Sequence, residues 1–81
     1  MCLADRLAKE LEGLIDQVEE PYRSRLLTWI GKQAGRPMAI NDLSHWLNEF
    51  DVISMIAQYE ILQIVCQQAA RIFGNTKGNE S

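Results

Sequence analysis

The sequence is poor in the residues that usually carry catalysis or bind metals. It holds one histidine, His45, and two cysteines, Cys2 and Cys66, which form no C-x-x-C pair. A structural zinc site needs four Cys or His ligands at close spacing. Ser44 is adjacent to His45, so on a helix the two side chains point about 100° apart and cannot act as nucleophile and base. We therefore expect that this protein is not an enzyme and that it has no metal site and no cofactor.

Long apolar runs, glycine and proline are also scarce. No run reaches the roughly 18 apolar residues of a membrane-spanning helix, and five Gly and two Pro leave few turns for an all-β sandwich. Asp5 and Arg6 interrupt the apolar region that a signal peptide would need. These absences predict an all-α cytoplasmic protein with free thiols and no membrane segment.

The 81 residues suffice for a single domain, and the 47% apolar and 23% charged fractions are typical of a globular one. We expect one helical domain over residues 1–73 and a disordered, polar, Gly-rich tail over residues 74–81. A single core of this size seldom supplies more than about 3–5 kcal/mol. With no disulfide or metal expected, self-association is the predicted additional source of stability.

Hydrophobic periodicity predicts three or four helices. An apolar stripe with helical spacing covers residues 3–18 and ends before Pro21, which disfavours helix in the residue preceding it. A second helix is predicted from Pro21 to Gly35, with Pro37 after its end. Because the connection between these helices is very short, we expect an antiparallel hairpin that packs on a long C-terminal helix.

Residues 41–73 are interpreted either as one helix or as two. Asn41 is a plausible N-cap, and the apolar stripe after it runs in phase into the later segment, so a continuous helix over 42–73 is possible. However, the wider apolar face beyond residue 51 is rotated away from that stripe, and Asp51 can cap a new helix. The sequence therefore favours a break near residues 50–52.

The final helix, residues 52–73, carries two apolar stripes. A helix that is apolar on more than one side is central in its fold or lies in an interface, so we expect this helix near the axis of a symmetric homodimer. The first stripe comprises Val52, Met55, Ile56, Tyr59, Leu62, Cys66, Ala69, Ala70 and Phe73, and the second Ile53, Ala57, Ile61, Ile64 and Ile72. The apolar candidates for protein interaction are Met55, Tyr59, Ile61, Ile64 and, off the apolar line of the second helix, Trp29.

The net charge of −3 originates in residues 37–70, which hold acidic side chains and no Lys or Arg. This segment is either a solvated acidic face or a surface that steers a basic partner. Asp42, Glu49 and Asp51 are the acidic candidates for protein interaction, and Glu60 completes the segment.

These features predict a small non-catalytic regulatory or adaptor protein that binds another protein, of the inhibitor, antitoxin, anti-activator or chaperone type. The alternative is a winged-helix-like DNA-binding regulator, with residues 24–30 as its first helix, 37–43 as the lead-in to the second and 54–65 as the recognition helix. Charge argues against this alternative, because a recognition helix must approach phosphates and residues 54–65 contain Glu60 but no basic side chain.

Overall fold

The computed structural model describes residues 2–74 of the chain. This part is 75% helical and contains no β-strand. The predicted all-α class is thereby confirmed, and of the predicted three or four helices these residues form four. The tail predicted over residues 74–81 lies, apart from its first residue, outside the described residues. The helices are α1 (Leu3–Asp16), α2 (Tyr22–Ala34), α3 (Asp42–Leu47) and α4 (Val52–Phe73).

Helix α1 ends earlier than its apolar stripe, because the chain after it pairs with the end of α4. The predicted stripe reached Val18, yet the helix ends at Asp16. Val18 remains buried and forms an isolated antiparallel bridge with Gly74. Beside it, the Glu19 N–H donates to the Phe73 carbonyl at 2.8 Å. A long-range backbone contact thus replaces the last half-turn that periodicity alone predicts.

Helix α2 ends where the sequence predicts, whereas its first residue is one later. It begins at Tyr22, directly after Pro21, and Gly35 follows its last residue in the left-handed conformation with φ of 77°. A residue with a side chain rarely adopts that conformation. The Gly35 N–H bonds back to the Lys32 carbonyl at 3.3 Å, which closes the final turn.

The break between α3 and α4 is present. Helix α3 ends at Leu47, and the Asp51 carboxylate accepts a hydrogen bond from the Ser54 N–H at 2.8 Å, which caps α4. Asn41 occupies the N-cap position of α3, but its side chain makes no capping hydrogen bond. The Asp42 carboxylate instead holds the preceding loop by accepting from the Ala39 N–H at 2.9 Å.

Helix α1 packs chiefly against α4 and α3, and α2 also rests on α4. The helices of the N-terminal hairpin are therefore joined mainly through α4, because few contacts pass directly between α1 and α2. No helix within residues 2–74 is long and apolar enough to cross a membrane. The largest side chains that are fully buried in the core are Leu11, Ile15, Val18, Ile30, Leu43, Leu47, Leu62 and Cys66.

Candidate protein-binding surface

Helix α4 is apolar on two faces, and among residues 2–74 only one of these faces is covered by other parts of the fold. Its inner face holds Met55, Leu62 and Cys66, each at most 5% exposed. Val65, Ala69 and Ala70 pack against this core from its margins. Burial raises the pKa of the Cys66 thiol to about 11, so this group remains a neutral packing element at ordinary pH.

The opposite face of α4 is exposed and rich in isoleucine. The exposed fractions are 82% for Ile53, 52% for Ile61, 60% for Ile64 and 67% for Ile72. Ala57 and Gln68 are also exposed and lie on the same face. Burying one such isoleucine side chain typically stabilises by about 1.5–3 kcal/mol. We call these six residues the outer stripe: Ile53, Ala57, Ile61, Ile64, Gln68 and Ile72.

Two of the candidate residues predicted on α4 belong to the fold rather than to its outer surface. Met55 is 5% exposed and lies in the core. Tyr59 packs against the core, and its hydroxyl donates to Glu10 Oε1 at 2.5 Å. This hydrogen bond raises the pKa of Tyr59, with desolvation as a smaller cause. The contact joins α4 to α1 across 49 residues of sequence.

The aromatic residues of α2 are partly exposed. Trp29 is 36% exposed, so part of its ring is accessible on the surface of α2. Tyr22 stacks on Phe73 with ring centroids 4.0 Å apart, so the start of α2 meets the end of α4. The Arg25 guanidinium lies 5.6 Å from the centre of the Tyr22 ring. No pattern in the sequence indicated the stacking of Tyr22 on Phe73, because these residues are 51 positions apart.

The three acidic candidates all have partners within the chain. Asp42 accepts from a backbone N–H and Asp51 caps α4, as described above. The Glu49 carboxylate lies 3.0 Å from the Arg36 guanidinium and 3.8 Å from His45 Nε2. Arg36 therefore offsets part of the negative charge that the sequence concentrates in residues 37–70. Of the acidic residues in that segment, Glu60 is exposed on α4 itself.

An open apolar groove runs beside α2, with a volume of about 560 Å³. At this groove the segment that follows α2 lies close to the helix. A Cβ on the buried Gly31 would lie only 2.8 Å from the Arg36 carbonyl oxygen. Among the described residues no three His, Cys, Asp or Glu side chains stand close enough to hold a metal ion. The groove is lined mainly by Ser24, Leu27, Thr28, Gly31, Pro37 and Met38.

Comparisons with protein families, with curated proteins and with solved structures find no match for this chain. The exposed isoleucines of α4 are the most distinctive surface feature of the described residues. Ile61 and Ile64 were predicted as interaction residues. Ile53, Gln68 and Ile72 are not among the predicted interaction residues, although their helical spacing places them on the same face.

Proposed function

We propose that this chain is a small, non-catalytic, cytoplasmic regulatory or adaptor protein that acts by binding a protein partner through the outer stripe of α4. The observation that supports this proposal is the exposure of Ile53, Ile61, Ile64 and Ile72 on one helix face. Isolated apolar residues on a surface are ordinary, whereas a contiguous apolar patch is typical of an interaction site.

The length of the stripe favours a helix-sized contact. From Ile53 to Ile72 the helix advances about 28 Å, at 1.5 Å per residue. Within the stripe no residue is charged, although Glu60 and Arg71 lie on the same exposed side of α4. An uncharged centre with polar margins is the usual composition of a protein–protein interface.

The DNA-binding alternative has less support from the same helix. Its recognition helix would present residues 54–65, whose exposed positions include Ile56, Ile61 and Glu60. A helix in the major groove needs side chains that bond base edges and cations that neutralise phosphates. Steering by the acidic segment also has reduced support, because Glu49 is paired with Arg36.

Site-specific photocrosslinking in the native host tests the proposal. A benzophenone amino acid at Ile64 should give a discrete adduct with a protein, because this position lies at the centre of the stripe. The matched control places the same group at Lys9, an exposed polar position of α1. If position 64 gives no adduct beyond the background seen at position 9, the stripe binds no protein and the proposal is wrong.

A further inference from the structure

The outer stripe has a regular spacing that restricts what can cover it. Its six residues follow one another at intervals of four, four, three, four and four positions. This series is the same when it is read from either end. If a second copy of the stripe is laid antiparallel on the first, residue 53 of one copy therefore faces residue 72 of the other. In the same way residue 57 faces 68, and residue 61 faces 64.

The residue types agree with this reversal. Ile53 meets Ile72, and Ile61 meets Ile64, so isoleucine faces isoleucine at four of the six positions. The remaining pair places the small Ala57 against the long Gln68. In a parallel alignment, by contrast, Ala57 would face a second alanine and Gln68 a second glutamine, which would leave a gap at one level and crowd the other.

A two-fold interface has the symmetry that this reversal describes. In such an interface the same patch is used by both subunits, so that residue i contacts j and j contacts i. Like residues lie close together near the axis, where a charged side chain would face its own copy. The stripe residues nearest its midpoint, Ala57, Ile61, Ile64 and Gln68, are all uncharged.

Resting on the proposed function, we infer that the occupant of the outer stripe is the α4 helix of a second copy of this chain, packed antiparallel with the two-fold axis between residues 62 and 63. Antiparallel α4 helices also align their dipoles favourably. The core face of α4 is unaffected, because Met55, Leu62 and Cys66 point away from the stripe into their own subunit.

Light scattering over micromolar to several hundred micromolar concentrations tests the association. The mass should rise with concentration from 9.3 kDa toward twice that value. Ile64→Glu should hold the chain at the monomer mass, and the matched Gln67→Glu, a neighbouring exposed position, should leave association unchanged. Circular dichroism should show equal helicity in both variants, since neither side chain is in the core. A wild-type mass of one chain at every concentration would overturn the inference.

Cysteine crosslinking tests the register, in a chain whose exposed Cys2 is replaced by Ser. Ile53→Cys and Ile72→Cys chains should each fail to crosslink with themselves, because like positions lie about 28 Å apart in the antiparallel pair. An equimolar mixture of the two should form the mixed disulfide dimer. Self-crosslinking of Ile53→Cys would instead indicate a parallel pair and contradict the inferred register.

The photocrosslinking described above separates the two proposals. A monomeric chain whose position 64 is crosslinked to a different protein would overturn the second-copy inference and leave the proposed function standing. A monomeric chain with no specific adduct at position 64 would overturn both. An adduct of twice the chain mass, together with the mixed disulfide, would support the second-copy inference and the part of the proposed function that makes the stripe a protein-binding surface.

Discussion

Helices α1 and α4 pack against each other, yet their outward faces differ. The inner face of α1 buries Ala4, Ala8, Leu11 and Ile15, and its outer side carries charged residues such as Lys9 and Asp16. The inner face of α4 is buried in the same core, but its outer side presents isoleucines. The apolar pattern of α1 is thus fully explained by folding of one chain. That of α4 is explained only in part, and the unexplained part is the surface proposed to bind a partner.

The largest expected effect is a difference in the loss of stability when the two faces of α4 are mutated. Leu62→Ala empties a fully buried position and should lower the free energy of unfolding by about 2–5 kcal/mol. Ile64→Ala, two residues later on the outer stripe, should change it by less than about 0.5 kcal/mol. Urea unfolding at a concentration where the chain is monomeric measures both. Equal losses would show that the outer face is packed within the chain.

The second effect concerns how the two helices begin. Helix α4 has the Asp51 cap, whereas α1 begins after Cys2 without a side-chain cap. Asp51→Ala should therefore lower stability at neutral pH, by less than Leu62→Ala does. Asp51→Asn, which keeps an acceptor oxygen, should lower it less. Unfolding in urea measures the three chains, and equal stability of all three would contradict a capping role.

The same cap predicts a pH dependence. Hydrogen bonds from Ser54 hold the pKa of Asp51 below its ordinary value of 3.8. A carboxyl whose pKa is lowered by folding stabilises the fold above its unfolded pKa, and loses this contribution as the pH falls through the folded value. The stability difference between the wild type and Asp51→Ala should thus be constant at neutral pH and shrink below pH 3.8. A difference that stays constant in acid would mean that the Asp51 charge plays no part.

A smaller effect is expected at the contact between α1 and α4. Tyr59→Phe removes the hydroxyl that donates to Glu10 and should lower the free energy of unfolding by about 0.5–1.5 kcal/mol. Glu10→Gln keeps an acceptor but removes the negative charge, so the raised pKa of Tyr59 should fall toward its ordinary value of 10.0. Ultraviolet absorbance titration follows the phenol, and an unchanged midpoint would argue against this hydrogen bond.

The smallest expected effect is a stabilisation of α1 by a single substitution. A Cβ on Gly13 would meet no atom within 4 Å, so Gly13→Ala should raise the free energy of unfolding by about 0.5–1 kcal/mol through helix propensity. The matched Gly31→Ala in α2 should lower it, because its Cβ would lie 2.8 Å from a carbonyl oxygen. Thermal unfolding compares the two variants. Changes of the same sign would show that propensity alone controls both positions.

Much of the fold was predictable, because the helix boundaries depend on local chemistry. Pro21 precedes α2, Gly35 supplies the left-handed residue after it, and Asp51 provides the oxygen that caps α4. Each of these effects acts within one turn of helix, so the residue type alone indicates it. The end of α1 was not predictable, since it depends on the pairing of Val18 with Gly74.

The candidate surface was predictable only as a set of alternatives. Two apolar stripes with helical spacing look equivalent in a sequence, and both Met55 and Ile64 were plausible interaction residues. The partners of the acidic side chains were equally hidden, because Arg36 and Glu49 are 13 residues apart and meet only when the loop before α3 folds back.

By itself, the sequence determined the all-α class, the positions of the breaks and the presence of more apolar helix surface than a small core needs. Only the tertiary structure decided that Met55, Leu62 and Cys66 of α4 are buried, whereas the isoleucines of the outer stripe are exposed. The physical reason is that helical periodicity depends on neighbours three and four residues apart. Burial, in contrast, depends on which face α1 covers, and that contact joins residues at opposite ends of the chain.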